Sequence, residues 1–164
     1  LIRGATDAVP FFVVHEARIR KVAQQQNADI RVLAAWSDLG FDVASTSLVA
    51  REDTIAKDAD GLKAFLRATF KGADYAFRSK HFDEGVGYVV KHHPEVDPDG
   101  AVGAAQVGAR FVYAEEVISG KVAVGQFETV RMEKTRDLYT QYLELKRKVS
   151  LEETYTNDLL PEKK

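Results

Sequence analysis

Three short runs that contain apolar side chains stand out in the first third of the chain, at residues 6–14, 30–36 and 45–51. Each run is too short for a long helix and is rich in β-branched or aromatic residues, so each predicts a buried strand. The polar-ended segment between the first two runs, HEARIRKVAQQQ, predicts a short helix. A strand, a helix and a strand in that order predict a βαβ unit and therefore a parallel sheet.

The remainder of the chain has helical periodicity. From residue 60 to 78 one predicted helix face carries Leu62, Phe65, Leu66, Phe70, Ala73 and Phe77. Further helices are expected at residues 83–92, ending before Pro94, and from the turn at residues 97–100 to about Ser119, with Gly120 as the C-cap. A last helix is expected at residues 128–148. The predicted fold class is therefore α/β, with a helix-rich C-terminal half.

The composition restricts the class of protein. The 164 residues are 45% hydrophobic and 29% charged, which is typical of one globular domain. A formal net charge of −2 argues against a nucleic-acid partner, because phosphate contact usually requires a basic face. No apolar stretch is long enough to span a bilayer, and no signal peptide is visible. Because the first residue is Leu, we expect a processed chain or one whose beginning is missing.

The side chains that usually carry catalysis or metal binding form no recognisable motif. The absence of cysteine excludes disulfides, thiolate zinc sites and cysteine nucleophiles. His15-Glu16 starts a sequence like that of zinc proteases, but Ile19 occupies the position of the second histidine. The adjacent His92 and His93 point about 100° apart on a helix, which makes chelation difficult. We expect no metal site, no cofactor and no catalytic residue.

The ends of the first two predicted strands carry a candidate binding site. In parallel α/β sheets, ligands bind beyond the carboxyl ends of the strands. Phe11 and Phe12 end the first run, and Trp36 and Asp38 follow the second. Aromatic faces there can stack on a flat ligand, and a carboxylate can accept a hydrogen bond from its polar edge. Burial statistics favour the alternative for the two phenylalanines, that they are plain core, while Asp38 could simply form the turn.

The order of several short motifs resembles one protein family. The motifs are GATDA at 4–8, WSDLGFD at 36–42, STSLVAR at 45–51, GLKAFLRATFKGADYA at 61–76 and ETYTNDLLP at 153–161. They resemble the solute-binding proteins of ABC importers, in the branch that binds nitrate, sulfonates, taurine and thiamine pyrimidine precursors. One departure is that Ala59-Asp60 stands where the family often has Pro-Glu; this affects helix stability more than function.

The resemblance implies a two-lobed periplasmic-binding-protein fold of type II. Residues 1–42 would be the end of the second lobe, containing the βαβ unit. Residues 43–164 would return into the first lobe as a strand followed by helices. The N-terminal half of the family fold would be absent, which agrees with the small number of predicted strands.

The resemblance also implies a function. The protein would capture a small organic ligand between two lobes by hinge closure and deliver it to the membrane permease of an ABC importer. The hinge would lie at residues 37–45, where Gly40 gives the backbone freedom to bend. A flat aromatic or pyrimidine-like ligand is favoured by the aromatic residues, and sulfonates and nitrate stay open. The location would be the bacterial periplasm, or the cell surface as a lipoprotein.

Two alternatives from other classes stay open. The same superfamily includes a fungal enzyme that builds the thiamine pyrimidine from its own histidine and pyridoxal phosphate, with iron. That enzyme has a cysteine-rich stretch after a Leu-Gly pair, whereas here Leu39-Gly40 is followed by FDVAS. We therefore expect that the protein is not an enzyme. The second alternative is a ligand-sensing regulatory domain built on the same fold.

Overall fold

The computed structural model describes residues 1–78 and 81–161, and these residues form helices joined by irregular segments. Single 3-10 turns occur at Val13–His15 and Ser37–Leu39. The α-helices are α1 (Glu16–Gln25), α2 (Glu52–Lys57), α3 (Ala59–Arg78), α4 (Phe82–His92), α5 (Pro98–Val112), α6 (Glu115–Ile118) and α7 (Thr129–Tyr142).

The three predicted strands are not formed, because no β-strand occurs in residues 1–78 or 81–161. A strand needs a neighbouring strand to pair its backbone groups, and the apolar runs find none here. Their large side chains are exposed instead, as Leu33 (76%) and Val49 (93%) illustrate. Pro10 also removes a backbone donor from the first run. The helix-rich part of the fold prediction therefore agrees with the structure, while the α/β class is not confirmed.

Most helix predictions agree with the structure, with two corrections. α1, α3 and α4 begin and end within two residues of the predicted limits. The single helix expected up to Ser119 is in fact two, α5 and α6, and Gly120 follows the second of them with φ of +76°. α7 ends at Tyr142, six residues earlier than expected. Its C-cap, Leu143, is extended, with φ of −108° and ψ of 125°, so the helical conformation stops there.

Two helix ends show why the sequence places them where it does. α1 ends in a Schellman motif, in which Ala28 N–H donates to Ala23 O (2.9 Å) and Asn27 N–H donates to Gln24 O (3.1 Å). Asn27 takes the left-handed conformation that this motif requires, with φ of 51°. α5 begins with Asp97 as N-cap, whose carboxylate accepts from Gly100 N–H at 2.8 Å.

The chain divides into two compact units. The first unit contains residues 1–33 and 70–121, and in it α5 packs against both α1 and α4. Its buried side chains are Ala23, Val86 and Tyr113. Lys21 of α1 donates to Asp97 (2.9 Å) and Asp99 (3.0 Å) at the start of α5. The first unit is thus a small helical cluster built around α5.

The second unit contains residues 34–69 and 122–161 of the described chain, and its buried residues are Met132 and Thr135 of α7. The limits between the units fall at residues 33/34, 69/70 and 121/122. The assignment of residues 1–42 and 43–164 to two lobes stays a prediction, and residues 79–80 and 162–164 of it lie outside the described part of the chain.

Candidate functional site

Phe11 and Phe12 lie in the first unit and contact the same histidine. The ring of His15 meets Phe11 edge-on at 6.0 Å between centroids and Phe12 at 6.3 Å. Phe11 is 59% exposed and Phe12 67% exposed, so neither is a core residue in this structure. His15 is held in place because its backbone N–H donates to Phe12 O at 2.9 Å. The three rings form an exposed aromatic cluster directly before α1.

Trp36 and Asp38 lie in the second unit, in one tight turn. The N–H groups of Leu39 and Phe41 both donate to Trp36 O, at 3.1 and 2.9 Å. Gly40 closes the turn with φ of 87°, a left-handed conformation that favours glycine. Asp38 accepts a hydrogen bond from Ala35 N–H at 3.2 Å. The turn therefore fixes the indole and the carboxylate on a short, internally bonded segment.

The turn also presents an aromatic pair that the sequence prediction included only in part. The rings of Trp36 and Phe41 meet edge-on, with 5.8 Å between centroids and an interplanar angle of 87°. Trp36 is 57% exposed and Leu39 is 59% exposed. Exposed aromatic faces beside a carboxylate suit stacking on a flat ligand with a polar edge. The sequence motif WSDLGFD contained the signal for Phe41, since only one turn separates it from the tryptophan.

The four predicted site residues thus form two groups. Phe11 and Phe12 join His15 in the first unit, and Trp36 and Asp38 join Phe41 in the second. His15 and Phe41 are the neighbours that the sequence prediction left out. The role of all four predicted residues in ligand binding stays a prediction.

An open pocket of about 460 Å³ lies elsewhere in the second unit, and none of the four predicted residues lines it. It is bordered by Glu133, Arg136 and residues 148–153. Glu153 is already paired there with Arg147 at 2.9 Å. The hydrogen bond from Arg147 and that from Ser150 N–H lower the pKa of Glu153 to about 2. Arg136 is likewise paired with a residue outside the lining, Asp137, at 2.7 Å.

A polar cluster that the sequence did not predict joins α3 to α4. Glu84 accepts hydrogen bonds from the hydroxyls of Tyr75 (2.8 Å) and Tyr88 (3.1 Å) and lies 3.1 Å from Nδ1 of His81. The rings of His81 and Tyr75 stack at 4.3 Å. The Tyr75 bond, followed by those of Tyr88 and His81, lowers the pKa of Glu84. The cluster has the chemistry of a helix junction rather than of a reaction centre.

The Tyr-Thr-Asn segment near the end of the chain makes a clamp within the second unit. The side-chain amide of Asn157 donates to Phe127 O and accepts from Phe127 N–H, both at 2.9 Å. The Tyr155 ring packs on Phe127 at 5.4 Å, and its hydroxyl lies 3.1 Å from that of Thr129. These contacts hold the segment that leads into α7, so the role that the geometry indicates for this motif is structural.

Within residues 1–78 and 81–161 no three His, Asp or Glu side chains come together in a way that could hold a metal ion. Among the helices of that same part of the chain, none combines the length and the apolar character needed to cross a membrane.

Comparison with known proteins gives one result. Neither curated proteins nor solved structures gave a match to the chain. Residues 1–80 match the model of the family described as NMT1/THI5 like, and this region, slightly less than half of the chain, contains all four predicted site residues.

Proposed function

We propose that this chain is part of a solute-binding protein that captures a small organic ligand for an ABC importer. The observation that carries the proposal is the match of residues 1–80 to the NMT1/THI5-like family, whose fold is of the periplasmic-binding-protein type and whose members typically partner with an ABC permease. Members of the family work outside the cytoplasm, and a periplasmic or lipid-anchored location is part of the proposal. The three unpaired apolar runs all lie in the matched region.

The proposed fold also accounts for those runs. In a binding protein of this type these runs would be paired strands of one sheet. An extended apolar segment with unpaired backbone groups is a template for such pairing. Val32, Leu33, Leu48 and Val49, now more than half exposed, would then be covered.

The proposed ligand is small and flat, with a polar edge. Trp36 and Phe41 would supply stacking faces, and Asp38 would accept a hydrogen bond from the ligand. Its carboxylate has spare acceptor capacity, since the bond from Ala35 N–H occupies one oxygen only. A pyrimidine with an exocyclic amine fits these groups better than nitrate or a sulfonate, because the two anions would meet a like charge at Asp38. Phe11 and Phe12 are proposed as further apolar contacts.

We propose binding without catalysis. The fungal thiamine-pyrimidine enzyme is the alternative that the family name itself raises. Its cysteine-rich stretch is lacking here, because the chain contains no cysteine. Mass spectrometry distinguishes the two functions: a binding protein returns its ligand unchanged, whereas the enzyme would convert pyridoxal phosphate in the presence of iron and lose the mass of a histidine side chain. The sensing-domain alternative predicts the same ligand but no association with a permease.

The test is a thermal-shift screen of the full-length protein that carries these residues, with aminopyrimidines, aromatic carboxylates, sulfonates and nitrate as separate arms. A ligand at one hundred times its dissociation constant stabilises the folded protein by about 2.7 kcal/mol. We expect stabilisation by aminopyrimidines and a change in the fluorescence of Trp36, the only tryptophan among these 164 residues. Stabilisation by none of the four classes would overturn the proposal.

Variants then test the site residues one at a time. Trp36→Phe and Asp38→Ala should weaken binding, the second by about 1–3 kcal/mol if the carboxylate accepts a buried hydrogen bond. Phe11→Ala should weaken it by loss of apolar contact. Phe111→Ala is the matched control, because Phe111 is similarly exposed (66%) and lies on α5 of the same unit. Equal effects of the two phenylalanine variants would remove Phe11 from the site.

A further inference from the structure

The segment directly after the Trp36 turn is tied to helix α7. Thr135 is buried, and its hydroxyl oxygen accepts a hydrogen bond from Ala44 N–H at 2.8 Å. The same hydroxyl donates to Arg131 O, also at 2.8 Å. One side chain thus satisfies its own donor within the helix and fixes a backbone group 91 residues earlier in the chain.

A second contact lies one helical turn away. Arg131 Nε approaches Asp42 Oδ1 at 3.1 Å, and Arg131 Nη2 donates to Asp42 Oδ2 at 3.4 Å. One hydrogen bond and the ion pair together hold the Asp42 carboxylate beside Arg131 of α7. Residues 42 and 44 are therefore both held on α7, by groups at positions 131 and 135 that share one helix face.

The fixed segment is continuous with the turn. Asp42 follows Phe41, whose N–H donates to Trp36 O at 2.9 Å and whose ring contacts the indole at 5.8 Å. Any shift of residues 42–44 therefore moves Phe41 and changes the packing of Trp36. Asp42, which is held on α7, is the direct sequence neighbour of Phe41, which contacts the Trp36 indole.

We infer that Thr135 and Arg131 are positioning residues for the candidate binding turn. Both lie outside residues 1–80, so the family match does not include them. They act through Ala44 and Asp42, and neither belongs to the turn itself. The inference rests on the proposed function only in assigning the turn to ligand binding.

The test uses Trp36 as a local reporter. Thr135→Val removes the acceptor for Ala44 N–H at nearly constant shape, and Thr135→Ser keeps it. Thr140→Val is the matched control, since the hydroxyl of Thr140 bonds Arg136 O at 2.8 Å in the same way but is exposed. Near-ultraviolet circular dichroism and acrylamide quenching are measured well below the melting temperature. Because Trp36 is already 57% exposed, only a moderate rise in its quenching constant is expected.

We expect increased quenching and a weaker tryptophan band in Thr135→Val, and wild-type values in Thr135→Ser and Thr140→Val. If Thr135→Val does not fold, the Arg131→Gln and Arg131→Lys pair replaces it, because the Arg131 side chain is 45% exposed. A Trp36 signal that is the same in all variants would overturn the inference, even if stability falls. A Trp36 signal that responds in Thr135→Val while Trp36→Phe leaves the affinity for an aminopyrimidine unchanged would support positioning and remove only the turn from the proposed ligand site.

Discussion

Replacing Tyr113 by Phe tests the polar contact that closes the core of the first unit. Tyr113 is 7% exposed, and its hydroxyl donates to Asp74 of α3 at 2.7 Å. Arg78 lies 5.2 Å above the same ring and 3.7 Å from Asp74. The substitution removes only the hydroxyl, so the ring keeps its packing and its contact with the guanidinium.

The expected loss in the free energy of unfolding depends on how exposed Asp74, the hydrogen-bond partner of Tyr113, is to water. A hydrogen bond to a charged group contributes about 1.5–3 kcal/mol when its partner is left buried and unpaired. The Asp74 side chain is 53% exposed, and water can replace the lost donor there. We therefore expect Tyr113→Phe to lower the free energy of unfolding by about 1–1.5 kcal/mol at pH 7. Tyr113→Ala, which also leaves a cavity, should cost about 3–5 kcal/mol.

The assay is urea unfolding followed by circular dichroism at 222 nm, with Asp74→Ala and the double variant completing a cycle. If the bond is the cause, the double variant loses less than the sum of the two single losses. Additive losses, or a Tyr113→Phe variant as stable as the wild type, would refute this account of the contact.

The pH dependence supplies an independent check. Burial, followed by the hydrogen bond to Asp74, raises the pKa of Tyr113 above its usual 10.0. A raised pKa means that the stabilisation is complete below pH 10 and is lost as the pH rises further. The stability difference between wild type and Tyr113→Phe should accordingly shrink above pH 10.

Three further predictions concern helix packing and helix ends. Gly103→Ala should lower the free energy of unfolding by about 1–3 kcal/mol, because its new Cβ would lie 2.7 Å from Ala17 Cβ. The control Gly72→Ala meets no atom within 4 Å and should be neutral or stabilising. Equal melting temperatures of the two variants would contradict this prediction. Asn27→Gly should raise the melting temperature slightly and Asn27→Val lower it, since φ at this position is 51°; the opposite order in thermal unfolding would refute the Schellman assignment. The hydrogen bond from Lys21, followed by that from Gly100 N–H, lowers the pKa of Asp97 below 3.8. The stabilisation by the Asp97 carboxylate should therefore be present at neutral pH and be lost in acid. In an acid titration, Asp97→Ala should lose less free energy of unfolding than the wild type.

The sequence predicts the local parts of this structure better than the long-range parts. α3 and α4 follow from apolar periodicity and charged ends, and Asp97 followed by Pro98 signals the start of α5. Strands require partners that no local pattern supplies, which is why the runs at residues 6–14, 30–36 and 45–51 read as strands but stay unpaired. The candidate turn follows from its Gly and Asp. Its anchor to Thr135 does not, because nothing local links a mid-helix threonine to a loop 91 residues away.

The Asn157 clamp depends on an intact side-chain amide. Hydrolysis of the side-chain amide would turn Asn157 into an aspartate, and the Nδ2 that donates to Phe127 O would become an oxygen. Two acceptors would then face each other at 2.9 Å, while the bond from Phe127 N–H could persist. This change, which adds about one mass unit, would thus loosen the segment that leads into α7.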